Sequence, residues 1–193
     1  MSELSTPRLR LRQWRASDLE PFAALNADPR VMEFMPGLLS SAESDALAQR
    51  CAAEIARLGF GFWATELHAS GAFIGFVGLH VPAFEAPFTP CVEIGWRLER
   101  TSWGNGFGTE AARECLRFAF ESLGLEEVVS FTVLLNGRSR AVMERLGMRQ
   151  DPLGDFDHPR LPAEHPLRRH VLYRLRREDW QRAGTRGGET FRG

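Results

Sequence analysis

The sequence predicts an α/β protein with a central mixed, mostly antiparallel sheet of about six to seven strands and helices on both faces. Three observations lead to this fold class. A chain of 193 residues has the usual length of one domain. Its 44% hydrophobic and 25% charged residues are typical of a folded globular protein. The predicted elements run strand, two helices, three strands, helix, strand, helix, strand, an order that neither alternates strictly nor separates strands from helices.

The first half of the chain begins with one strand and two helices. Residues 7–14 alternate apolar and basic side chains with a period of two, which indicates a half-exposed strand. A Ser-Asp pair begins a short helix over residues 17–27. A second helix is predicted over residues 41–58, and Gly59 ends it. Its apolar stripe consists of Ala46, Leu47, Cys51, Ile55 and Leu58.

Aromatic and β-branched runs mark the strands that follow. Residues 60–67 and 72–81 are two such runs with a four-residue turn between them, which predicts a hairpin. The remaining elements are predicted as strands at 91–98, 127–135 and 169–176 and as helices at 109–122 and 138–146. The segment from residue 181 is rich in glycine and polar residues. We therefore expect a single domain over residues 1–180 and a disordered tail over 181–193.

Charge and composition exclude several classes of partner and mechanism. The 24 basic and 25 acidic residues give a net charge of −1, so no overall field attracts nucleic acid or an anionic membrane. Every basic residue is arginine, which excludes a catalytic lysine, a Walker-type lysine and a Schiff base. The first residues do not resemble a signal peptide, and no apolar run reaches ~18 residues. Three cysteines without a CxxC motif are typical of free thiols, so a cytoplasmic location is expected.

The most specific local signal is a glycine-rich turn at 103–109, Trp-Gly-Asn-Gly-Phe-Gly-Thr, between a predicted strand and a predicted helix. Glycines permit positive φ and leave backbone amides open, and the first turn of a helix offers free N–H groups to a phosphate. A plain strand-to-helix turn that needs glycine for its geometry is the alternative. A dinucleotide fold would place these glycines after its first strand, and a P-loop would need a lysine, so neither nucleotide site fits.

Four segments occur in a specific order and spacing. They are Thr6-Pro-Arg-Leu-Arg-Leu11, Val92-Glu-Ile-Gly-Trp96, Trp103-Gly-Asn-Gly-Phe-Gly-Thr-Glu-Ala111 and Asn136-Gly-Arg-Ser-Arg-Ala-Val-Met-Glu-Arg-Leu-Gly-Met148. With them the chain resembles the GCN5-related N-acetyltransferase (GNAT) superfamily, in the branch that acetylates ribosomal protein N-termini. The resemblance covers residues 6–178. It implies a GNAT-like fold whose two central strands splay apart, with acetyl-CoA as cosubstrate and no metal.

The resemblance also implies where acetyl-CoA binds. In the family the pyrophosphate lies on the amides of the glycine turn, and the pantetheine arm adds to the edge of a splayed strand. The implied cofactor-binding residues are Asn105, Gly106, Phe107, Gly108 and Thr109 in the turn, Trp96, Arg97 and Leu98 on the strand edge, and Asn136, Ser139 and Arg140 opposite. Trp103 stands where the family has Gln or Arg, so one side-chain contact to the cofactor is lost.

Acetyl transfer to an amine needs a proton acceptor, N–H donors for the thioester oxygen and a proton for the leaving thiolate. Glu93 on the central strand is the candidate base, acting directly or through a water, and a structural ion pair is the alternative. Unpaired backbone N–H groups at the strand edge can donate hydrogen bonds to the oxyanion of the tetrahedral intermediate. Ser139 is the candidate acid, with helix capping or cofactor binding as the alternative. Met143 stands at the family's usual tyrosine, and Tyr173 fits a core position better than catalysis.

Two segments are predicted to shape the amine pocket. Phe84 and Phe88 belong to a proline-rich connection at 82–90 that is too apolar for a simple exposed loop. Asp157 and His158 add a carboxylate and an imidazole beside aromatic residues, which suits a cationic amine. An exposed polar loop is the alternative. A metal site is not predicted, because the spacing of these side chains matches no zinc-ligand pattern.

Together these features predict an N-acetyltransferase that moves an acetyl group from acetyl-CoA to a primary amine by direct attack in a ternary complex. The amine would be a small molecule, an amino acid or peptide, or a protein N-terminus, and the protein would be a monomer or homodimer. A non-catalytic CoA-binding module of the same fold is the alternative, which the missing tyrosine favours. Covalent transfer through Cys91 has no activating group in the sequence.

Overall fold

The computed structural model of the protein describes residues 3–188. Within them the strands are β1 Leu4–Ser5, β2 Leu9–Arg12, β3 Phe62–Leu67, β4 Phe73–His80, β5 Glu93–Leu98, β6 Glu127–Val133, β7 Arg149–Gln150, β8 Phe156–Asp157 and β9 Arg169–Arg176. The α-helices are α1 Leu19–Asn26, α2 Ser41–Leu58, α3 Phe107–Arg117, α4 Gly137–Arg145 and α5 Arg177–Gly188. A 3₁₀ turn precedes α1 and another precedes α3, and a π-helical turn at Phe118–Ser122 follows α3.

The chain folds into two compact units. The first unit contains the residues up to His80 together with Ile94–Cys115. The second contains Val81–Glu93 together with the residues from Leu116 onward. The boundary falls within β5, so its first residue belongs to the second unit and the rest of the strand to the first.

The first unit is built on antiparallel strands and two helices. β1 pairs with β2, β2 with β3 and β3 with β4, all antiparallel, and β5 lies beside β4. Leu9 and Leu11 on β2 are fully buried, as the period-two alternation predicts. Gly75 has φ 130°, and a Cβ there would meet the carbonyl oxygen of Arg97, so the β4 and β5 backbones approach closely at this point.

Helix α2 has the boundaries expected from the sequence. Ser40 and Glu43 form a capping box, since the Ser40 Oγ accepts from the Glu43 N–H at 3.3 Å and the Glu43 Oε2 accepts from the Ser40 N–H at 2.8 Å. Gly59 ends the helix in the left-handed region with φ 78°. The buried face of α2 consists of Ser44, Ala48, Cys51 and Ile55. Cys51 and Ile55 of the expected stripe are therefore buried, whereas its other members are only partly buried.

The second unit is organised around β9. β6 pairs antiparallel with β9 over seven residues, from Glu127 opposite Arg176 to Val133 opposite His170. The short strands β7 and β8 also pair antiparallel with β9. Glu93 at the start of β5 pairs in parallel with Val129 on β6. The buried side chains of this unit include Val128, Met143, Leu172, Tyr173 and Leu175.

The mixed fold class is confirmed, with more strands than expected. Antiparallel pairs, together with the parallel pair at the start of β5, make the strand pairing mixed. The nine strands within residues 3–188 exceed the expected six to seven because β1, β7 and β8 have two residues each. Two residues show no period in a sequence, so these strands depend on the hydrogen bonds of a longer neighbour.

The structure differs from the expected tail at α5. The helix continues to Gly188, whereas disorder was expected from residue 181, and residues 189–193 lie outside the described residues. Glu178 and Asp179 in its first turn suit the positive end of the helix dipole, and both pair with Arg182. The Trp180 ring lies 5.8 Å from that of Phe120. These contacts offset the helix-weakening effect of the glycines.

Candidate active site

The glycine turn places open backbone amides at the start of α3. Gly104 and Gly106 have φ values of 78° and 79°, which glycine adopts without strain. The Glu110 N–H donates to the Gly106 carbonyl at 3.0 Å. The amides of Phe107 and Gly108, and that of the following residue, precede this bond and have no acceptor in the helix. The turn therefore presents N–H groups at the positive end of a helix dipole, an arrangement that suits a phosphate.

Arg8, which the sequence analysis did not predict as a site residue, adds a positive charge to this turn. Its guanidinium lies 4.6 Å from the centre of the Phe107 ring. It pairs with the Glu110 carboxylate at 2.6 Å, and half of its side chain is exposed. A Cβ at Gly106 would lie 3.6 Å from its Nη2 atom. Arg8 and the turn are about a hundred positions apart in the chain, so no local pattern links them.

Glu110 fixes the start of α3 to the chain before β2. Its Oε1 accepts from the Thr6 Oγ1 at 2.6 Å and from the Arg8 N–H at 3.1 Å, and its Oε2 accepts from the Arg8 Nε at 2.6 Å. Partial burial would raise the pKa of Glu110, but these hydrogen bonds and the charge of Arg8 lower it overall. Glu110 therefore stays ionised, and it holds Arg8 at the turn.

Two side chains of the turn donate hydrogen bonds to backbone carbonyls in or just before it. The Trp103 indole N–H donates to the Leu98 carbonyl at 2.9 Å. The Asn105 amide donates to the Ser102 and Trp103 carbonyls at 3.3 and 3.1 Å. Trp103, which replaces the family's Gln or Arg, therefore ties the turn to the end of β5. The Leu98 side chain also reaches the turn, 3.6 Å from where a Cβ of Gly108 would lie.

The Arg97 side chain does not extend toward the turn. Its Nη1 donates to the Asn26 Oδ1 at 2.6 Å, and its Nη2 contacts the Met35 sulfur at 3.3 Å. Its guanidinium also lies over the Phe76 ring at 5.4 Å. Of the three strand-edge residues expected to bind the cofactor, Arg97 thus directs its charged group to α1 and the segment after it, and Trp96 is partly buried.

Glu93 lies beside a poorly reactive thiol in the second unit. Burial raises the pKa of Cys91 to about 11, and the negative charges of Glu93 and Glu127 add to the effect. The thiol is therefore protonated at neutral pH, which disfavours a covalent acetyl-cysteine step. Glu93 itself is partly buried and pairs through its backbone with Val129 on β6.

Asn136 and Ser139 bond to each other at the start of α4. The Asn136 Oδ1 accepts from the Ser139 N–H at 3.2 Å and so caps the helix. The Asn136 Nδ2 donates to the Ser139 Oγ at 3.1 Å and to the Thr132 Oγ1 at 3.0 Å. Ser139 accepts in its side-chain contact, so its hydroxyl proton is not used there. This leaves Ser139 able to donate that proton to another group.

Arg140 and Tyr173 form a second polar group on α4 and β9. The Arg140 Nε donates to the Tyr173 hydroxyl at 3.1 Å, and that hydroxyl donates to the Glu144 carboxylate at 3.1 Å. The Arg140 Nη1 donates to the Leu134 carbonyl at 3.3 Å. Tyr173 is 2% exposed, which confirms its interpretation as a core residue with a satisfied hydroxyl.

Aromatic rings and two histidines of the second unit form one cluster, which we call the aromatic–histidine cluster. Its members are Phe84, Phe88, Phe131, Phe156, His158 and His170. The Phe84 ring lies 4.9 Å from His158, and the Phe88 ring 4.7 Å from Phe156. Three of the four residues expected to line the amine pocket therefore meet. Phe131, Phe156 and His170 were not among the residues predicted to line the pocket, because an aromatic residue or a histidine in a strand carries no distinctive local signal.

Asp157 belongs to the other side of β8. Successive side chains of a strand point to opposite faces, so Phe156 is buried in the cluster while Asp157 is exposed. The Asp157 carboxylate pairs with Arg168 at 3.5 Å and with Arg169 at 3.4 Å. The structure therefore separates Asp157 from the expected set of amine-binding residues.

The two clustered histidines are neutral at physiological pH. Burial lowers the pKa of His158 to about 4, and the charges of His170 and Arg160 contribute. Burial also lowers the pKa of His170, although its bond to the Arg168 carbonyl opposes this shift. Because that carbonyl, 3.0 Å from His170 Nδ1, can only accept, we assign the proton to Nδ1. The Nε2 atom of His170 is then a free proton acceptor.

Neither a metal-binding group nor a membrane-spanning helix occurs in the described part of the chain. Within residues 3–188, no group of three or more His, Cys, Asp or Glu side chains is arranged to hold a metal ion. None of the helices in that range is long and apolar enough to cross a membrane. The three cysteines form no disulfide, as expected, and Cys51 and Cys115 are buried.

Comparisons with known proteins point to one family. A family model described as an acetyltransferase (GNAT) domain matches residues 8–149. The FsC-acetyl coenzyme A-N(2)-transacetylase of Aspergillus fumigatus is 34% identical over 190 residues, covering 93% of this chain and 78% of that protein. An acetyltransferase structure from Agrobacterium tumefaciens superposes with a TM-score of 0.73 at 29% identity, covering 91% of this chain and 94% of that one.

A further solved structure is similar in fold alone. The ribosomal L7/L12 alpha-N-protein acetyltransferase RimL, in complex with coenzyme A, has a TM-score of 0.72 at 14% identity and covers 91% of this chain and 98% of that one. The family match spans most of the chain, and its limits include the glycine turn and the segment that begins at Asn136. These findings confirm the resemblance drawn from the four sequence segments: the chain belongs to the GNAT family and is an N-acetyltransferase, an acyltransferase enzyme.

Proposed function

We propose that the protein transfers an acetyl group from acetyl-CoA to a primary amine by direct attack in a ternary complex. The observation that carries this proposal is the start of α3, where open amides and the Arg8 guanidinium present positive charge around glycines. A pyrophosphate is the ligand that such a group suits. The A. fumigatus relative is named as an acetyl-CoA transacetylase, which supports the same cosubstrate.

The proposed cofactor-binding residues belong to three segments of the chain. In the first unit, the amides of residues 105–109 take the pyrophosphate, and the strand edge at 96–98 takes the pantetheine arm. In the second unit, Asn136, Ser139 and Arg140 border the cofactor. Gly104 has open space around it and positive φ, so ligand atoms can approach the backbone there. The proposed domain spans residues 1–180, and its cytoplasmic location and oligomeric state stay predictions.

The proposed chemistry uses three groups of the chain. The Glu93 carboxylate accepts a proton from the amine, directly or through a water, because an alkylammonium with a pKa near ~10 cannot attack. The amine nitrogen then forms a bond to the thioester carbon, and the oxygen that becomes negative is held by strand-edge N–H groups. The C–S bond breaks, and the leaving thiolate takes the Ser139 hydroxyl proton. The second proton lost by the amine nitrogen returns to the Ser139 oxygen, which gives the neutral amide.

The aromatic–histidine cluster is the proposed wall of the amine pocket. Phe84, Phe88 and His158 provide ring faces that suit the apolar body and the cationic end of an amine. Neutral histidines do not repel an ammonium, and burial keeps both of them neutral. Asp157 would contact an ammonium only after leaving its arginine partners.

Binding and turnover test the proposal separately. Saturating acetyl-CoA should raise the melting temperature by roughly 5–10 °C, while NAD and ATP should not. Release of free CoA is then followed with a panel of primary amines. No shift with acetyl-CoA would contradict the cofactor site, and a shift without release from any amine would favour a non-catalytic CoA-binding protein.

Substitution of Glu93 tests the proton acceptor. Glu93→Gln should lower kcat by about 10²- to 10⁴-fold and leave the acetyl-CoA shift unchanged, because a base acts only in the chemical step. Glu20→Gln, an exposed glutamate on α1, is the matched control. An unchanged kcat in Glu93→Gln would remove this role from Glu93, and His170 Nε2 would become the next acceptor to test.

A further inference from the structure

The first unit contains a largely buried cation whose contacts within residues 3–188 include no carboxylate. Arg97 on β5 contacts the Asn26 amide oxygen, the Met35 sulfur and the Phe76 ring, all of them neutral. Among the residues that the structure describes, no Asp or Glu side chain forms an ion pair with Arg97. Burial lowers the pKa of Arg97 to about 10, which outweighs the opposing effect of Cys51.

Arg12, a buried arginine with a structural role in the same unit, has carboxylate partners. It is 2% exposed, and its guanidinium pairs with Asp18 and Glu66, each at 2.7 Å. Burial would lower the pKa of Arg12, but these two carboxylates raise it overall. A buried charge without a counter-ion is costly, and proteins usually supply the partner. Arg97 lacks the partner that Arg12 has.

Two fully buried polar side chains hold Arg97 in place. Asn26 and Ser44 are both 0% exposed. The Asn26 Nδ2 donates to the Ser44 Oγ at 2.9 Å, and this bond turns the Oδ1 atom toward Arg97. The polar Ser44 lies on the buried face of α2, where sequence periodicity favours an apolar residue. This pair therefore orients a cation without neutralising it.

The remaining donors of Arg97 suit an anion. A guanidinium has five N–H donors, and the Asn26 oxygen and the Met35 sulfur occupy two of them. Sulfur is a weak acceptor, so this contact is easily exchanged for a stronger one. The planar fork matches a carboxylate in two parallel hydrogen bonds. Part of the Arg97 side chain is open to solvent, so a ligand can reach it.

We propose that Arg97, oriented by Asn26, binds a carboxylate of the acceptor, so that the substrates are amines that carry a carboxylate group, such as amino acids and peptides. The inference rests on the proposed acetyl transfer. It assigns the Arg97 side chain to the acceptor and not to the cofactor.

Matched pairs of amines test the carboxylate site. The wild type and Arg97→Met are compared with ω-amino acids from glycine to 6-aminohexanoate, each beside its uncharged amide, with CoA release as the readout. The wild type should favour at least one acid over its amide by about tenfold or more in kcat/KM. Arg97→Met should remove this preference, because KM for the acid should rise much more than KM for the amide. Arg97→Lys, which keeps the charge without the fork, should retain part of the preference.

Three outcomes would overturn the carboxylate site. One is a wild-type enzyme that treats acids and amides alike, and another is an Arg97→Met enzyme that keeps the preference. The third is an equal loss of both substrates in Arg97→Met, which is the result expected if Arg97 only braces α1 against β5. Arg100→Met, an exposed arginine three positions away, is the matched control and should keep the preference.

Failure of the proposed acetyl transfer gives a different pattern. If acetyl-CoA stabilises the protein but no amine releases CoA, the transfer reaction is contradicted. The carboxylate site is then tested by measuring the binding of acids and amides directly. Calorimetry on the CoA-loaded protein would compare 6-aminohexanoate and glycine with their amides. Tighter binding of an acid by the wild type, lost in Arg97→Met, supports the site, and equal binding of acids and amides overturns it.

Discussion

At the scale of single residues, the arginines of the first unit differ in what balances their charge. Arg12 is closed in by two carboxylates, Arg8 is held by one at the edge of the glycine turn, and Arg97 has neutral partners. A guanidinium stays charged in proteins, so its surroundings must supply the anion. These three environments correspond to a structural ion pair, a proposed phosphate contact and a proposed carboxylate contact.

Asp18→Ala should destabilise the protein strongly. The change removes two bonds from the buried Arg12 guanidinium, at 2.7 and 2.9 Å, and leaves that charge with Glu66 alone. We expect a loss of about 3–5 kcal/mol in the free energy of unfolding, measured by urea denaturation. Glu3→Ala, which breaks an exposed pair with Arg10, should cost about 0–1 kcal/mol. Equal losses in the two variants would contradict the importance of burial here.

Arg8→Met should weaken CoA binding. The change removes the positive charge at the glycine turn, and we expect the Kd for CoA to rise about three- to tenfold, as measured by calorimetry. Arg10→Met removes a partly exposed arginine of β2, two positions away, and should leave this Kd unchanged. The same effect in both variants would show that Arg8 has no specific contact with the ligand.

At the scale of elements, the start of α3 depends on glycine backbone geometry. Sequence analysis places the helix start at residue 109, and the structure places it at Phe107, so the last glycine of the turn lies inside the helix. Gly106 immediately precedes the helix, and its carbonyl accepts the first helical bond. The open amides therefore follow directly from two positive-φ glycines and a helix that begins at once.

Gly106→Ala should impair both the turn and the ligand site. Its φ of 79° is strained for a residue with a Cβ, at about 1–2 kcal/mol, and relief of that strain would move the adjacent amides. We expect a lower melting temperature and roughly tenfold weaker CoA binding. Gly37→Ala, at a glycine with open space and no positive φ, is the control and should leave CoA binding unchanged. Undiminished CoA binding by Gly106→Ala would show that the turn amides do not hold the ligand.

Helix α2 buries a polar side chain that its sequence pattern does not predict. The apolar stripe read from the sequence includes Leu47 and omits Ser44, whereas the structure buries Ser44 and leaves Leu47 partly exposed. Ser44 accepts from the Asn26 amide, and Asn26 accepts from Arg97. Hydrophobic periodicity cannot detect this network, because each member of it is polar.

At the scale of the whole molecule, the pH dependence of stability reports on the aromatic–histidine cluster. His158 has a pKa of about 4 in the folded protein against 6.5 as its ordinary value. Between these two pH values the unfolded chain binds more protons than the folded one, so the free energy of unfolding falls as pH falls. Its imidazole accepts from the Arg160 N–H, and His170 is the adjacent titratable group.

His158→Phe should reduce this acid sensitivity. Phenylalanine keeps an aromatic ring in the cluster and cannot take up a proton, so the variant should lose less stability between about pH 7.5 and about pH 5 than the wild type. Urea midpoints at the two pH values provide the comparison. An equal loss in both proteins would show that His158 is not held neutral by its burial.

The sequence alone predicted the mixed fold class, the bounds of α2 and β9 and the family, because these depend on local periodicity, capping residues and four spaced segments. It also located the glycine turn, because few residues other than glycine adopt positive φ without strain. Only the tertiary structure brought Arg8 to that turn and joined Phe131, Phe156 and His170 to the predicted pocket residues. It also gave Arg97 neutral partners and no carboxylate among the described residues. These features depend on contacts between residues distant in the chain, which local patterns do not encode.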